Sequence, residues 1–131
     1  MTKILHKPDL GLLIFRLFVG LTMALNHGFA KIPPPDMLIQ GLGSMGFPIP
    51  IAFAWAAALG EFLGGLGIAF GLFTRWAAFF MGFTMSVAAF VAHAADPFQK
   101  KEMALLFLTS GILLMLTGPG KFSLDKVIRK K

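Results

Sequence analysis

From Ile51 to Phe73 the chain holds apolar and small residues, broken by a single carboxylate, Glu61. As a helix rising about 1.5 Å per residue, this run reaches roughly 34 Å, enough to cross the hydrocarbon core of a bilayer. Glu61 then sits about 15 Å from either end, near the bilayer centre. In hydrocarbon a helix satisfies its own backbone polar groups, which an open strand cannot do. A carboxylate at that depth costs a few kcal/mol or more and is tolerated when it faces a bundle interior and finds a partner. The run therefore calls for a helix and for other helices around it. Gly60, Gly64, Gly67 and Gly71 recur at fours and threes, which predicts a smooth stripe for close helix approach.

Composition agrees with a membrane solvent. The chain has 131 residues, 56% of them hydrophobic, and a mean hydropathy of +0.78. It has no cysteine, so disulfide exchange, thiolate nucleophiles, iron–sulfur clusters and covalent c-type haem are excluded within it. Tyrosine is absent too, leaving interface anchoring to Trp55, Trp76 and the phenylalanines. The net charge is +6. Its basic residues flank apolar runs and form no groove interleaved with stacking aromatics, so they point to lipid headgroups and not to nucleic acid.

The punctuation predicts an all-α, four-helix membrane bundle forming one domain over 1–131, with spans at about 10–31, 51–73, 75–95 and 101–117. Pro8 and Asp9 suit a helix start, with Asp9 as cap. No cleavage site follows the first apolar run, which reads as a retained span. Pro33-Pro34-Pro35 stops it. Asp36 then caps a short interfacial segment, Met37 to Met45, too short to span. Thr74-Arg75-Trp76 reads as a tight surface turn, Asp96-Pro97 breaks the third span, and Gly118-Pro119-Gly120 ends the fourth. An even number of spans puts both ends on one side. That side collects Lys3, Lys7, Arg75, Lys121, Lys126, Arg129, Lys130 and Lys131, against Lys31, Lys100 and Lys101 opposite, so both termini are expected in the cytoplasm.

Polar residues recur at helical spacing. Arg16, Gly20, Met23, His27 and Lys31 fall at four, three, four and four along the first span. Arg75, Phe79, Gly82, Ser86, Ala89 and His93 repeat this logic in the third. Arg16 reads either as a snorkelling cation near the inner end or as a partner for Glu61.

Arg16-Leu17 with His27-Gly28-Phe29-Ala30-Lys31, then Glu61-Phe62-Leu63-Gly64-Gly65, Gly71-Leu72-Phe73-Thr74-Arg75, His93, Glu102, and finally Gly118-Pro119-Gly120-Lys121-Phe122-Ser123-Leu124-Asp125, resemble the DoxX family of small bacterial membrane proteins. The likeness runs from about Leu10 to Asp125. It implies a four-helix, multi-pass protein of the bacterial cytoplasmic membrane and a loose association with redox and sulfur chemistry, through relatives tied to thiosulfate–quinone oxidoreductases. It carries no agreed catalytic set, so no catalytic residue is named.

By depth, Arg16, His27, Lys31, Glu61, His93 and Glu102 are the candidates for an outward-opening polar cavity with Glu61 at its floor, while Arg75, Gly118, Pro119 and Asp125 belong to structural surface turns. Three uses of the cavity stand open. A quinone could hydrogen-bond His27 or His93 while Glu61 relays protons, in an accessory subunit whose partner enzyme brings the electrons. A small solute or protons could bind or pass. The charges could instead fix helix register in a scaffold. The chain is not expected to be an enzyme on its own, and a homo-oligomer or a redox-enzyme partner is expected around it. Haem and metal are disfavoured as cofactors, because the two span histidines come from different helices without a local ligand motif. Gly64-Gly65-Leu66-Gly67 lies within an apolar helix and is no phosphate loop. Ser86 and Ser110 lack a neighbouring base.

Overall fold

The computed structural model describes residues 7–129. All regular structure among them is helical. α1 spans Pro8–Lys31, α2 Asp36–Ser44, α3 Pro50–Phe70, α4 Thr74–Ala92, α5 Phe98–Thr117 and α6 Leu124–Arg129. α1, α3 and α4 are long and apolar enough to cross a membrane. α5 has 20 residues but opens on Lys100, Lys101 and Glu102.

The ends differ in detail from the sequence expectation, for backbone reasons. α1 begins at Pro8 with Lys7 at the cap position, and Asp9 falls in the first turn instead of capping it. Asp36 likewise sits inside α2, behind Pro35. α3 stops at Phe70, because Gly71 (φ 69°) and Phe73 (φ 49°) take left-handed conformations that end a helix. The turn is thus Gly71 to Phe73, and Thr74 already belongs to α4. α4 stops at Ala92, and α5 starts at Phe98 behind the extended Pro97. Lys3, Lys130 and Lys131, used above to orient the chain, lie outside the described residues.

α1 packs on α3, α3 on α4 and α4 on α5, while α2 lies against α3. One core joins them: Val19 and Met23 from α1, Ile68 from α3, Ala77, Ala78, Met81 and Met85 from α4, and Phe107 and Leu114 from α5. Small residues and methionine dominate it, as expected where close backbone approach rather than expulsion of water drives helix association. Large side chains such as Phe18, Phe83 and Leu116 point outward. Five helix hydroxyls are satisfied within their own helices: Thr84, Ser86, Thr109, Ser110 and Thr117 each donate to the carbonyl four residues earlier.

The tightest approach is between α1 and α3. A Cβ on Gly20 would lie 2.5 Å from the Gly65 carbonyl oxygen, one on Gly65 2.6 Å from the Ala24 nitrogen, and one on Gly28 would run into the Phe62 backbone nitrogen. The predicted stripe is therefore displaced. Gly60 has open space around it, and Gly64 meets little. The buried face of α3 carries Ala54, Ala58, Glu61, Gly65 and Ile68, at fours and threes, and Glu61, Gly65 and Ala69 meet α1.

α1 is not a uniform helix. Met23–Gly28 is a π-helical segment, and Phe29–Lys31 tightens to 3₁₀. The wide turn shifts the phase by one residue. The buried face runs through Arg16, Gly20 and Met23, then restarts at Ala24 and Gly28. A second π segment, Ala88–Ala92, ends α4 just before His93.

Candidate polar site and the clasp at the opposite end

The phase shift decides which polar residue of α1 meets Glu61. Glu61 is 2% exposed and Lys31 is about one-third exposed. The Lys31 ammonium donates to both carboxylate oxygens, at 2.9 and 3.1 Å. His27 sits one step off this face. It is half-buried, with its ring edge-on to Phe107 of α5 at 5.3 Å between centroids. It lies within electrostatic reach of both Glu61 and Lys31. Phe62 follows Glu61 and stacks obliquely on Phe29, 6.1 Å away. The site is thus a buried carboxylate with one ammonium, one imidazole and aromatic faces, placed by α1, α3 and α5.

Three other candidates lie apart in their bonding. His93 is joined by Nδ1 to Asp96 Oδ2 at 2.7 Å, in the turn between α4 and α5. That hydrogen bond, helped by Lys100 and Lys101, holds the Asp96 carboxyl below the usual carboxylate range. Glu102 is exposed and makes no hydrogen bond among the described residues. Arg16 does not reach Glu61. It points the other way, fully buried, and donates to the Pro119 and Phe122 carbonyls.

Arg16 belongs to a clasp built from the segment after α5. Asp9 accepts the Lys121 amide at 3.0 Å. The Asp125 amide donates to the Gly71 carbonyl at 2.8 Å. The Asp125 carboxylate accepts the Phe73 amide at 2.7 Å and the Thr74 amide at 2.9 Å, capping α4 from the far end of the chain. Partial burial pushes the Asp125 carboxyl up. Its bonds to Thr74 and Phe73, with Arg129 nearby, outweigh this and leave it below the ordinary value. The Arg75 guanidinium lies against Gly118, where a Cβ would be 3.2 Å away, so both belong to this assembly with Pro119. In the sequence these residues read as separate surface turns, and the fold locks them together. A local signal for the Asp125 cap does not exist, because its helix starts 51 residues earlier. Among the described residues, no three of His, Asp and Glu come together as a metal ion requires.

The DoxX family profile matches residues 11–94. Inner membrane protein YqjF of Escherichia coli (strain K12) is 34% identical over 133 aligned positions, covering 94% of this chain and 95% of YqjF. The protein named "Putative oxidoreductase CatD" of Bacillus subtilis (strain 168) is 32% identical over 123, covering 93% and 90%. Inner membrane protein YphA of Escherichia coli (strain K12) is 33% identical over 128, covering 88% of each. No solved structure matches the chain significantly. A profile spanning most of the chain, near full-length relatives and three apolar helices agree, and the chain belongs to the DoxX family as a multi-pass protein of the bacterial inner membrane.

Proposed function

We propose that this protein is an accessory membrane subunit serving quinone-linked redox metabolism, with Glu61, Lys31 and His27 as the headgroup site. The carrying observation is the Lys31–Glu61 pair, nearly sealed at the carboxylate and open at the ammonium, with His27 beside it. A quinone headgroup offers two carbonyl oxygens and a flat ring. Lys31 and His27 present N–H donors for such oxygens, and Phe107 and Phe62 present faces or edges for the ring. Glu61 would exchange a proton with the bound headgroup as Lys31 turns from it to the ligand. In this reading a partner protein would supply the electrons. The name of the relative "Putative oxidoreductase CatD" lies in the same direction.

The topology we propose has four spans, α1, α3, α4 and α5, with both termini in the cytoplasm and α2 at the outer surface. α5 contributes Phe107 and Leu114 to the shared core, and its hydroxyls are internally bonded, as a lipid-exposed helix requires. A reporter fused after Lys131 that is active only on the outside would overturn this orientation.

The binding reading is tested by solvent extraction of the protein purified in mild detergent, followed by mass spectrometry. The expected result is stoichiometric quinone in the wild type and none in Glu61→Gln. A wild-type extract holding only phospholipid overturns it. One observation favours a second reading, a scaffold for a partner enzyme. The ion pair adjoins the Gly28–Phe62 backbone contact and so pins the register of α1 on α3.

A further inference from the structure

At the end opposite the polar site, a cavity of about 380 Å³ opens between the start of α1 and the loop after α5. Lys7, Pro8, Asp9, Leu10, Lys121 and Phe122 line it. Its chemistry is divided. Lys7 and Lys121 supply two ammonium groups, while Pro8, Leu10 and Phe122 supply an apolar wall. Leu10 and Phe122 are exposed, at 41% and 46%. The Lys121 ammonium lies 5.2 Å above the Phe122 ring, at the boundary between the halves.

The charge around the cavity is positive in sum. The carboxylate in its wall, Asp9, is turned to the loop backbone, where it accepts the Lys121 amide. Behind Phe122 lies Arg16, 1% exposed, holding the Phe122 and Pro119 carbonyls. Two exposed ammonium groups, Lys7 and Lys121, thus face one carboxylate that is already occupied.

We propose that this cavity binds an anionic phospholipid, with Lys7 and Lys121 holding the phosphate and Leu10 and Phe122 lying along the acyl chains. A free phosphate would use the two amines and leave the apolar wall idle. A lipid uses both halves, which is how basic pockets beside membrane helices take anionic headgroups. The bound lipid would bridge α1 to the segment after α5 and so reinforce the clasp that Asp9 and Arg16 make. The orientation proposed above bears only on which leaflet supplies the lipid. Binding in detergent is independent of it and of the quinone site.

The test is thermal unfolding of the full chain in a neutral detergent, titrated with phosphatidylglycerol, phosphatidylcholine or inorganic phosphate. Phosphatidylglycerol is expected to raise Tm, and the other two to leave it unchanged. Lys7→Gln with Lys121→Gln should weaken the phosphatidylglycerol response about tenfold or more. Lys126→Gln with Arg129→Gln, which removes the same charge outside the cavity, should keep it. Equal loss in both pairs would assign the effect to overall charge and overturn the proposal. So would a response to inorganic phosphate or phosphatidylcholine equal to that of phosphatidylglycerol. If the lysine pair does not purify, Lys7→Gln alone carries the test, and an unchanged response in it overturns the site.

Discussion

Lys31 closes over Glu61 from the last turn of α1, its ammonium 2.9 and 3.1 Å from the two carboxylate oxygens. The two partners are unequally placed, with Glu61 sealed and Lys31 partly open. Their removal should therefore cost unequal amounts. Lys31→Met strands a buried carboxylate and should cost about 3–5 kcal/mol. Glu61→Gln leaves an ammonium that can snorkel outward, at about 1 kcal/mol. The double variant should return to within about 1 kcal/mol of the wild type. Unfolding in mixed SDS micelles checks the order, and a costlier Glu61→Gln would contradict it.

The glycines of α3 separate by contact. Gly65→Ala drives a Cβ to 2.6 Å from the Ala24 nitrogen and the Gly20 oxygen, both rigid backbone atoms. It should cost about 3 kcal/mol or more. Gly60→Ala meets open space and should be neutral, or stabilising by up to about 1 kcal/mol. The same unfolding assay reads both.

Asp125 ties stability to pH. Its folded pKa lies below the ordinary carboxylate value, so its contribution is present above about pH 4 and is lost as pH falls through the folded value. Below that, Asp125 no longer caps α4 as an anion. Asp125→Asn should lower stability at pH 7 by about 1–2 kcal/mol and flatten the acid limb of the stability curve. An acid limb as steep in the variant as in the wild type would assign the titration to another group.

Arg16 should govern the clasp more than the polar site. Arg16→Gln keeps a donor but cannot hold both the Pro119 and Phe122 carbonyls. Trypsin cleavage after Lys121 should then rise about tenfold or more, because the segment opens locally. Any quinone carried by the protein should be retained. Unchanged cleavage would show that Asp9 and Asp125 hold the segment without Arg16.

The long helices were legible in the chain, whereas the short α6 was not. Long apolar runs, the triple proline after Lys31 and the glycines at 71 and 118 act within a few residues, and local chemistry is what a sequence displays. Only the ends moved, by a turn or less, where Pro8, Gly71 and Pro97 set the backbone. The membrane setting and the burial of Glu61 were equally legible, since a carboxylate in hydrocarbon has few alternatives.

The partner of Glu61 was not. On a regular 3.6-residue helix Arg16, His27 and Lys31 share one face, and their spacing does not choose among them. The π segment at Met23–Gly28 turns His27 to Phe107 and leaves Lys31 for Glu61. Arg16 finds carbonyls more than a hundred positions away. Close approach moved from the Gly60 stripe to Gly65, because a helix crossing depends on both surfaces at once. The sequence by itself determined a helical membrane protein with a buried acid. The tertiary structure alone decided which cation neutralises that acid and which segment locks the other end, because those choices depend on helix phase and crossing, which no single stretch of chain contains.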